Sequence, residues 1–361
     1  MDGGMDRRAQ PPPATRYPPH AGPHRARRSC SGLPPAGGWP MRRSDESGAA
    51  LLTTLMIVAA LAAISVSVLA DMRRSSRISA NASSISQAQW YAIGAEAFAQ
   101  VTAADLLSGD MPRTALAGPP RTATFPLDDG VMQVSVRDGS TCINVNSVAA
   151  GAGDIYERDE TGASQLRTLM ELQGIPGGRA AELVDALAAW IDTTGGSVGA
   201  DDGPYAQVDP PYMTGREPLA EVSELRAIRG FTPEVMAPLR PWICALPQLG
   251  PSRININALT PEQAPLLVAV SEGKISAEQA KDLIRRRPPL GWQSVGEMFA
   301  DPRMSALGLS EAVMASFVLE TRFLAIDVLV THGEAEVVMS GLMIRGNAGF
   351  VTAARRWSED T

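Results

Sequence analysis

Apolar positions along this chain change their spacing four times. From Gly48 to Ala70 they are close to continuous, reading GAALLTTLMIVAALAAISVSVLA with no charged residue until Asp71. A helix needs roughly 20 apolar residues to cross a hydrocarbon core, so this stretch predicts a membrane-spanning helix. From Met72 to Leu107 there is no proline, and Ile78, Ala82, Ile85, Ala88, Ala92 and Ala95 recur three or four residues apart, one face of an α-helix. Gly109 and Pro112 mark its expected end. The two runs predict one continuous helix, half in lipid and half packing on a domain.

The period then drops to two. Ala123, Phe125 and Leu127 alternate with Thr122 and Thr124, and Met132, Val134 and Val136 alternate with Gln133, Ser135 and Arg137. Asp129-Gly130 reads as the hairpin turn between these strands. Between about 148 and 320 the spacing is helical again. Thr232-Pro233-Glu234 and Thr260-Pro261-Glu262 read as N-cap, proline and first-turn acid. Ser276 with Gln279 and Ser294 with Glu297 read as capping boxes. Strands return at Phe323–Val330, Glu334–Ile344 and Gly349–Trp357.

The fold class is therefore α+β: a long N-terminal helix on an antiparallel sheet, with a large all-helical insertion of two small lobes. The expected division is a leader at 1–48, the spanning part at 49–70, and the exposed helix with the first strands at 71–147. The insertion then fills 148–320, and the closing strands occupy 321–361. Ile143-Asn144-Val145-Asn146 echoes Ile254-Asn255-Ile256-Asn257. Asn hydrogen-bonds backbone in turns, so each copy is expected to pin the start of a helical lobe.

Charge sets the orientation. Residues 1–48 carry net +4, and residues 71–361 carry −11. Arg42 and Arg43 precede the apolar run, and positive charge is retained on the cytoplasmic side, which places the N-terminus inside and the C-terminal part outside. Residues 1–40 are rich in Pro, Gly and Arg without apolar periodicity, and read as disordered. Translation starts at Met1 or at Met41; the second leaves the compact leader MRRSDESG. An acidic exterior argues against broad phosphate binding and suits Ca²⁺ or a basic protein partner. Cys30 lies in the leader. Cys142 and Cys244 lie outside, where a disulfide is permitted, and both the bonded and the free state stay open because pairing depends on Cα separation.

The junction at Gly48 has two readings: an uncleaved signal anchor, or a prepilin-like signal with a short basic leader cut after glycine. From about Arg42 to its end the chain resembles the GspK family, large minor pseudopilins of type II secretion systems. The stretches that carry the resemblance are SGAALLTTLMIVAAL, QWYAIGAEAFA, ELVDALAAWID, GAD at 199–201, DPPYMTGREPLAEVSELRAIRGFTPEVMAPLRPWICALP and ININALTPEQAP. It implies cleavage by prepilin peptidase between Gly48 and Ala49 and methylation of the Ala49 amine. It also implies a place in the inner membrane with a periplasmic domain, and GspI- and GspJ-like partners at a filament tip. Contact with the secretin and with exported proteins is part of the same expectation.

Most subunits of such filaments carry Glu at the fifth residue after the cut, where its carboxylate neutralises a neighbour's N-terminal ammonium. Here that residue is Thr53. A carboxylate in lipid is costly and is kept where it has a partner, so its absence suits the terminal subunit. The resemblance further implies a Ca²⁺ loop with Asp192 and Asp201 at matching positions and Asp202 beside them as a third candidate ligand, although Thr194 stands where a second acid is usual and GAD replaces GAE. A solvated polar loop is the competing account.

Residues Glu171–Ala180, with Leu183 and Leu187, resemble a helix-hairpin-helix, whose turn amides can hold a DNA phosphate. A membrane-anchored DNA receptor is therefore the alternative function. Against it, the insertion lacks a basic stripe beyond Arg285-Arg286-Arg287, so no nucleic acid is expected. No enzyme is expected either. His20 and His24 fall in the leader and His332 in a hairpin, with no G-x-S-x-G, H-E-x-x-H or P-loop.

Overall fold

The computed structural model describes residues 47–106, 112–194, 202–300, 302–347 and 349–357. The leader up to Glu46 and Gly109 lie outside them. Residues to Val68 form one unit and Leu69 onward a second. Helix α1 runs over Ser47–Leu106, 60 residues without a break. It is the helix, among the described residues, that is long and apolar enough to cross a membrane. In the first unit every side chain from Ala49 to Val68 is exposed.

In the second unit the expected apolar stripe of α1 packs only from its middle onward. Ile78 is 61% exposed, whereas Ala88, Ala92, Ala95, Ala99 and Ala103 are buried. Small side chains let the helix lie close on a sheet, and these alanines share one core with Ile326, Val328, Val330 and Met339.

Strands β1 (Arg121–Leu127) and β2 (Gly130–Asp138) form a hairpin closed by the pair Leu127 and Gly130. The turn residues are therefore Asp128 and Asp129, one position earlier than the sequence pattern suggests. Gly130 belongs to the strand because a Cβ there would sit 1.9 Å from the Thr331 carbonyl oxygen.

The first lobe follows. Its elements are β3 (Ile143–Asn144), the hairpin β4 (Ala149–Ala152) and β5 (Ile155–Arg158), then α2 (Glu160–Leu172), α3 (Gly177–Ile191), α4 (Gly203–Ala206), α5 (Pro233–Leu239) and β6 (Ile243–Cys244). Strand β6 returns parallel to β3. Asp159 caps α2 by accepting the Gly162 N–H at 2.7 Å. Leu166, Leu169 and Met170 are its buried stripe, facing Leu183 and Leu187 of α3 in a common core.

The second lobe repeats the plan with β7 (Ile254–Asn255), α6 (Ala264–Val270), α7 (Ala277–Arg285), α8 (Val295–Phe299), α9 (Pro302–Ser305), α10 (Glu311–Met314) and β8 (Phe317–Val318). Here β8 returns parallel to β7. Thr260, Ser276 and Ser294 cap their helices as expected, whereas Thr232 takes the N-cap position of α5 without a side-chain capping bond. At the last, Glu297 reaches back to the Gln293 N–H at 3.0 Å rather than to the capping serine. The insertion is thus helical with short two-stranded ladders added, and both lobes share one hydrophobic cluster.

Strands β9 (Phe323–His332), β10 (Ala335–Gly346) and β11 (Gly349–Arg356) complete a five-stranded antiparallel sheet in the order β1-β2-β9-β10-β11. The insertion leaves from the end of β2 and rejoins at the start of β9, its neighbour, where Asp138 pairs with Leu324.

Candidate functional site

The places to follow in the structure are the Gly48–Ala49 junction, the acidic loop, the hairpin turns and the joints between lobes and sheet. At the junction, Thr53 lies in the first turns of α1. Its hydroxyl donates to the Ala50 carbonyl at 3.0 Å. A threonine can satisfy itself within its own helix in this way, which a carboxylate cannot do. Gly48 and Ala49 are both helical.

The acidic loop is held at its two ends. Asp192 terminates α3, and its Oδ1 accepts from Thr194 N–H at 2.6 Å and Thr194 Oγ1 at 2.8 Å. Asp202 is buried, and its Oδ1 accepts from Thr214 N–H and Oγ1, each at 2.8 Å. Those two bonds, aided by the Arg216 charge, hold the Asp202 carboxyl below the usual carboxylate range. Asp201 lies outside the described residues. Among the described residues no group of three His, Cys, Asp or Glu side chains gathers as a metal set. The donors at the two ends are carboxylate and hydroxyl oxygens, the hard type Ca²⁺ takes.

The turn between α2 and α3 is a Schellman cap. Gly174 adopts φ 85°, its N–H reaches the Glu171 carbonyl, and the Ile175 N–H reaches that of Met170. Arg179 beside it is engaged by Glu182 at 2.9 Å and by the Gly230 carbonyl at 3.1 Å. The second lobe builds the same turn with Glu272, φ 55°, at the position of Gly174: its N–H reaches the Ala269 carbonyl, and the Gly273 N–H reaches that of Val268. The arginine run that follows is dispersed. Arg286 pairs with Asp282 at 2.9 Å, and Arg287 turns inward to the Ile256 and Leu259 carbonyls at 3.0 and 2.8 Å. Burial lowers the Arg287 pKa from its ordinary value.

The repeated Ile-Asn-x-Asn segments are the lobes' anchors. Asn144 Oδ1 accepts the Asn146 N–H at 3.2 Å and the Leu246 N–H at 2.9 Å. Asn146 donates to the Leu219 and Leu246 carbonyls and accepts the Leu219 N–H, all within 3.0 Å. In the second copy, Asn255 Oδ1 accepts the Asn257 N–H at 3.1 Å. Asn257 then donates to the Trp292 and Leu319 carbonyls and accepts the Trp292 N–H. The same two side chains do the same work twice, each pinning a loop and a returning strand.

Asp138, at the end of β2, joins the second copy to the sheet. Its Oδ1 accepts from Ser140 N–H at 2.8 Å and Ser140 Oγ at 2.5 Å. Its Oδ2 accepts from Asn255 Nδ2 at 2.8 Å and Thr321 Oγ1 at 2.6 Å. Burial raises this carboxyl above its ordinary value, against the four hydrogen bonds, which pull it down. Cys142 and Cys244 are disulfide-bonded with Cα atoms 5.8 Å apart, beside the β3–β6 ladder.

Sequence reasoning did not find Asp138, nor the contact between Glu96 of α1 and Arg355 of β11, at 2.5 and 3.0 Å. Thr352 also donates to Glu96. Burial would raise the Glu96 carboxyl, but the hydrogen bonds from Arg355 and Thr352 and the Arg355 charge bring it below its ordinary value.

The family described as "Type II secretion system (T2SS), protein K" matches residues 141–248 and again 254–320, one segment for each lobe. Over 266 residues the chain is 35% identical to the Type II secretion system protein K of Pectobacterium carotovorum subsp. carotovorum, covering 70% of this chain and 79% of that protein. The protein of the same name from Aeromonas hydrophila is 29% identical over 322 residues, covering 86% and 96%. Among solved structures, a chain of the GspK-GspI-GspJ complex from the enterotoxigenic Escherichia coli type 2 secretion system superposes with a TM-score of 0.62 at 26% identity, covering 76% of this chain and 96% of that one.

Proposed function

The chain belongs to the type II secretion system protein K family of minor pseudopilins, and from that premise we propose that it forms the tip of the pseudopilus, starts its assembly and supports export of folded proteins. The apolar part of α1, residues 49–70, stores the subunit in the inner membrane with its N-terminus cytoplasmic and the remainder periplasmic. Prepilin peptidase cuts between Gly48 and Ala49 and methylates the new amine. The partners are two further minor pseudopilins, as in the GspK-GspI-GspJ complex. Docking of α1 into a filament exchanges lipid contacts for helix packing rather than gaining new hydrophobic burial.

The observation that carries the tip position is Thr53. Its hydroxyl is bonded within its own helix, so the apolar segment offers no carboxylate to a subunit on its other side. The width of the two lobes adds to this, since a bulky insertion is tolerated best where no further subunit must follow. The test is N-terminal mass analysis of the membrane form together with co-purification. A methylated Ala49 terminus and a stable complex with two minor pseudopilins are expected, unimproved by Thr53→Glu. A chain that keeps its leader while peptidase is active, or stronger assembly on Thr53→Glu, overturns the reading.

Ca²⁺ in the acidic loop is part of the same proposal. Asp192 and Asp202 flank the segment that contains Asp201, and six to eight oxygens would be drawn from these carboxylates, loop carbonyls and water. A bound ion stabilises in proportion to its occupancy, so chelation is expected to lower the unfolding temperature. An unmoved midpoint counts against the site.

A further inference from the structure

A cavity of about 530 Å³ lies between the first lobe and the sheet face turned away from α1. That is the size range of a ligand pocket. Leu219, Val222, Ile243, Leu249 and Leu342 supply apolar wall, and the small Ala353 and Ala354 supply a low wall along β11. Two residues of this lining, Arg240 and Gln248, each carry a buried polar atom, Nε and Oε1, that has no partner among the described residues. A buried donor or acceptor left unmade costs about 1–3 kcal/mol, so each is an unanswered contact.

The other charges on the lining are answered. Arg137 faces Asp327 at 3.8 Å, and Arg356 faces Glu221 at 2.7 Å. The Arg240 guanidinium makes no hydrogen bond or ion pair among the described residues. The cavity therefore has one uncompensated positive charge beside an apolar wall. The terminal carboxylate of a chain answers the charge, and the apolar side chain next to it fills the hollow. Strand β11 is the edge of the sheet, and edge strands can receive an extended chain through their outward backbone groups.

We propose that this cavity binds the extended C-terminal end of another protein chain, with an apolar side chain in the hollow and the terminal carboxylate on Arg240. A charge-assisted bond to a guanidinium is stronger than a neutral one, so the free acid is preferred over its amide. Such binding does not depend on where in a filament the subunit sits, and its failure would leave the tip assignment standing.

The test uses the full chain in detergent micelles and fluorescence anisotropy of a fluorescein-labelled Ala-Ala-Val-Leu peptide, as free acid and as C-terminal amide. Saturable binding is expected, with the acid at least about tenfold tighter. Arg240→Gln is expected to abolish that preference. Ala354→Leu leaves Arg240 in place but fills the hollow, and it should remove binding at an unchanged unfolding midpoint. Octanoate serves as a competitor to distinguish a free amphiphile from a peptide end. Equal binding of acid and amide, a preference that survives Arg240→Gln, displacement by octanoate at matched concentration, or no saturable binding each overturns the proposal.

Discussion

Glu96 and Asp138 are both buried acids, yet their surroundings drive them in opposite directions, and stability should follow. Glu96 is held below its ordinary value of 4.5. Its contribution is therefore present above about that pH and is lost as pH falls through the lower native value. Asp138 is raised above 3.8, so its contribution is full below that value and declines as pH rises through the native one. Glu96→Gln should cost about 1–2 kcal/mol near neutrality, since Arg355 is partly exposed, and should flatten the acid limb of the stability curve. Asp138→Asn places an amide against the Asn255 or Ser140 donors and should cost about 1–3 kcal/mol, while removing the opposing slope. Urea unfolding of both variants between pH 3 and 7 checks this. Neither residue stands out in the sequence. Their partners lie 259 and 183 positions away, and nothing local marks a lone acid as buried.

At the scale of elements, what could be read in advance was what neighbouring residues decide. The caps at Ser276 and Thr260 and the stripes of α2 and α3 depend on spacing within one turn or two. The hairpin turn falls one residue before the place the local pattern predicts, because Gly130 answers to a third strand, not to the turn. The Ile-Asn-x-Asn echo was visible, but not that each copy pins a strand returning from far along the chain. Glycines separate the cases cleanly. Gly162→Ala would drive a Cβ to 1.8 Å from the Ser147 carbonyl oxygen, and should destabilise by about 1–3 kcal/mol. Gly178→Ala, on the next helix with nothing within 4 Å, should be neutral or slightly stabilising. Thermal denaturation of the pair distinguishes a packing constraint from general intolerance. The disulfide closes a separation of 102 residues, so Cys142→Ala should cost about 2–5 kcal/mol. Reductant should bring the parent chain to the same unfolding midpoint as the variant.

Across the whole molecule, the plan of helix, sheet and inserted lobes was legible because its periods differ: continuous, helical, alternating, helical, alternating. What stayed hidden was how the lobes are attached. Strands β2 and β9 are hydrogen-bonded neighbours with Asp138 opposite Leu324, and Thr321 and Asn255 meet on the same carboxylate. The two ends of a stretch of more than 180 residues are thus brought to a single clasp on adjacent strands. A cassette mounted this way can be excised, exchanged or enlarged without rethreading the scaffold beneath it. Replacing 140–321 by a short turn should leave the alanine face of α1 on an intact five-stranded sheet, detectable by its retained strand signal in circular dichroism. The lobes are then free to diverge while their mounting on the sheet stays the same.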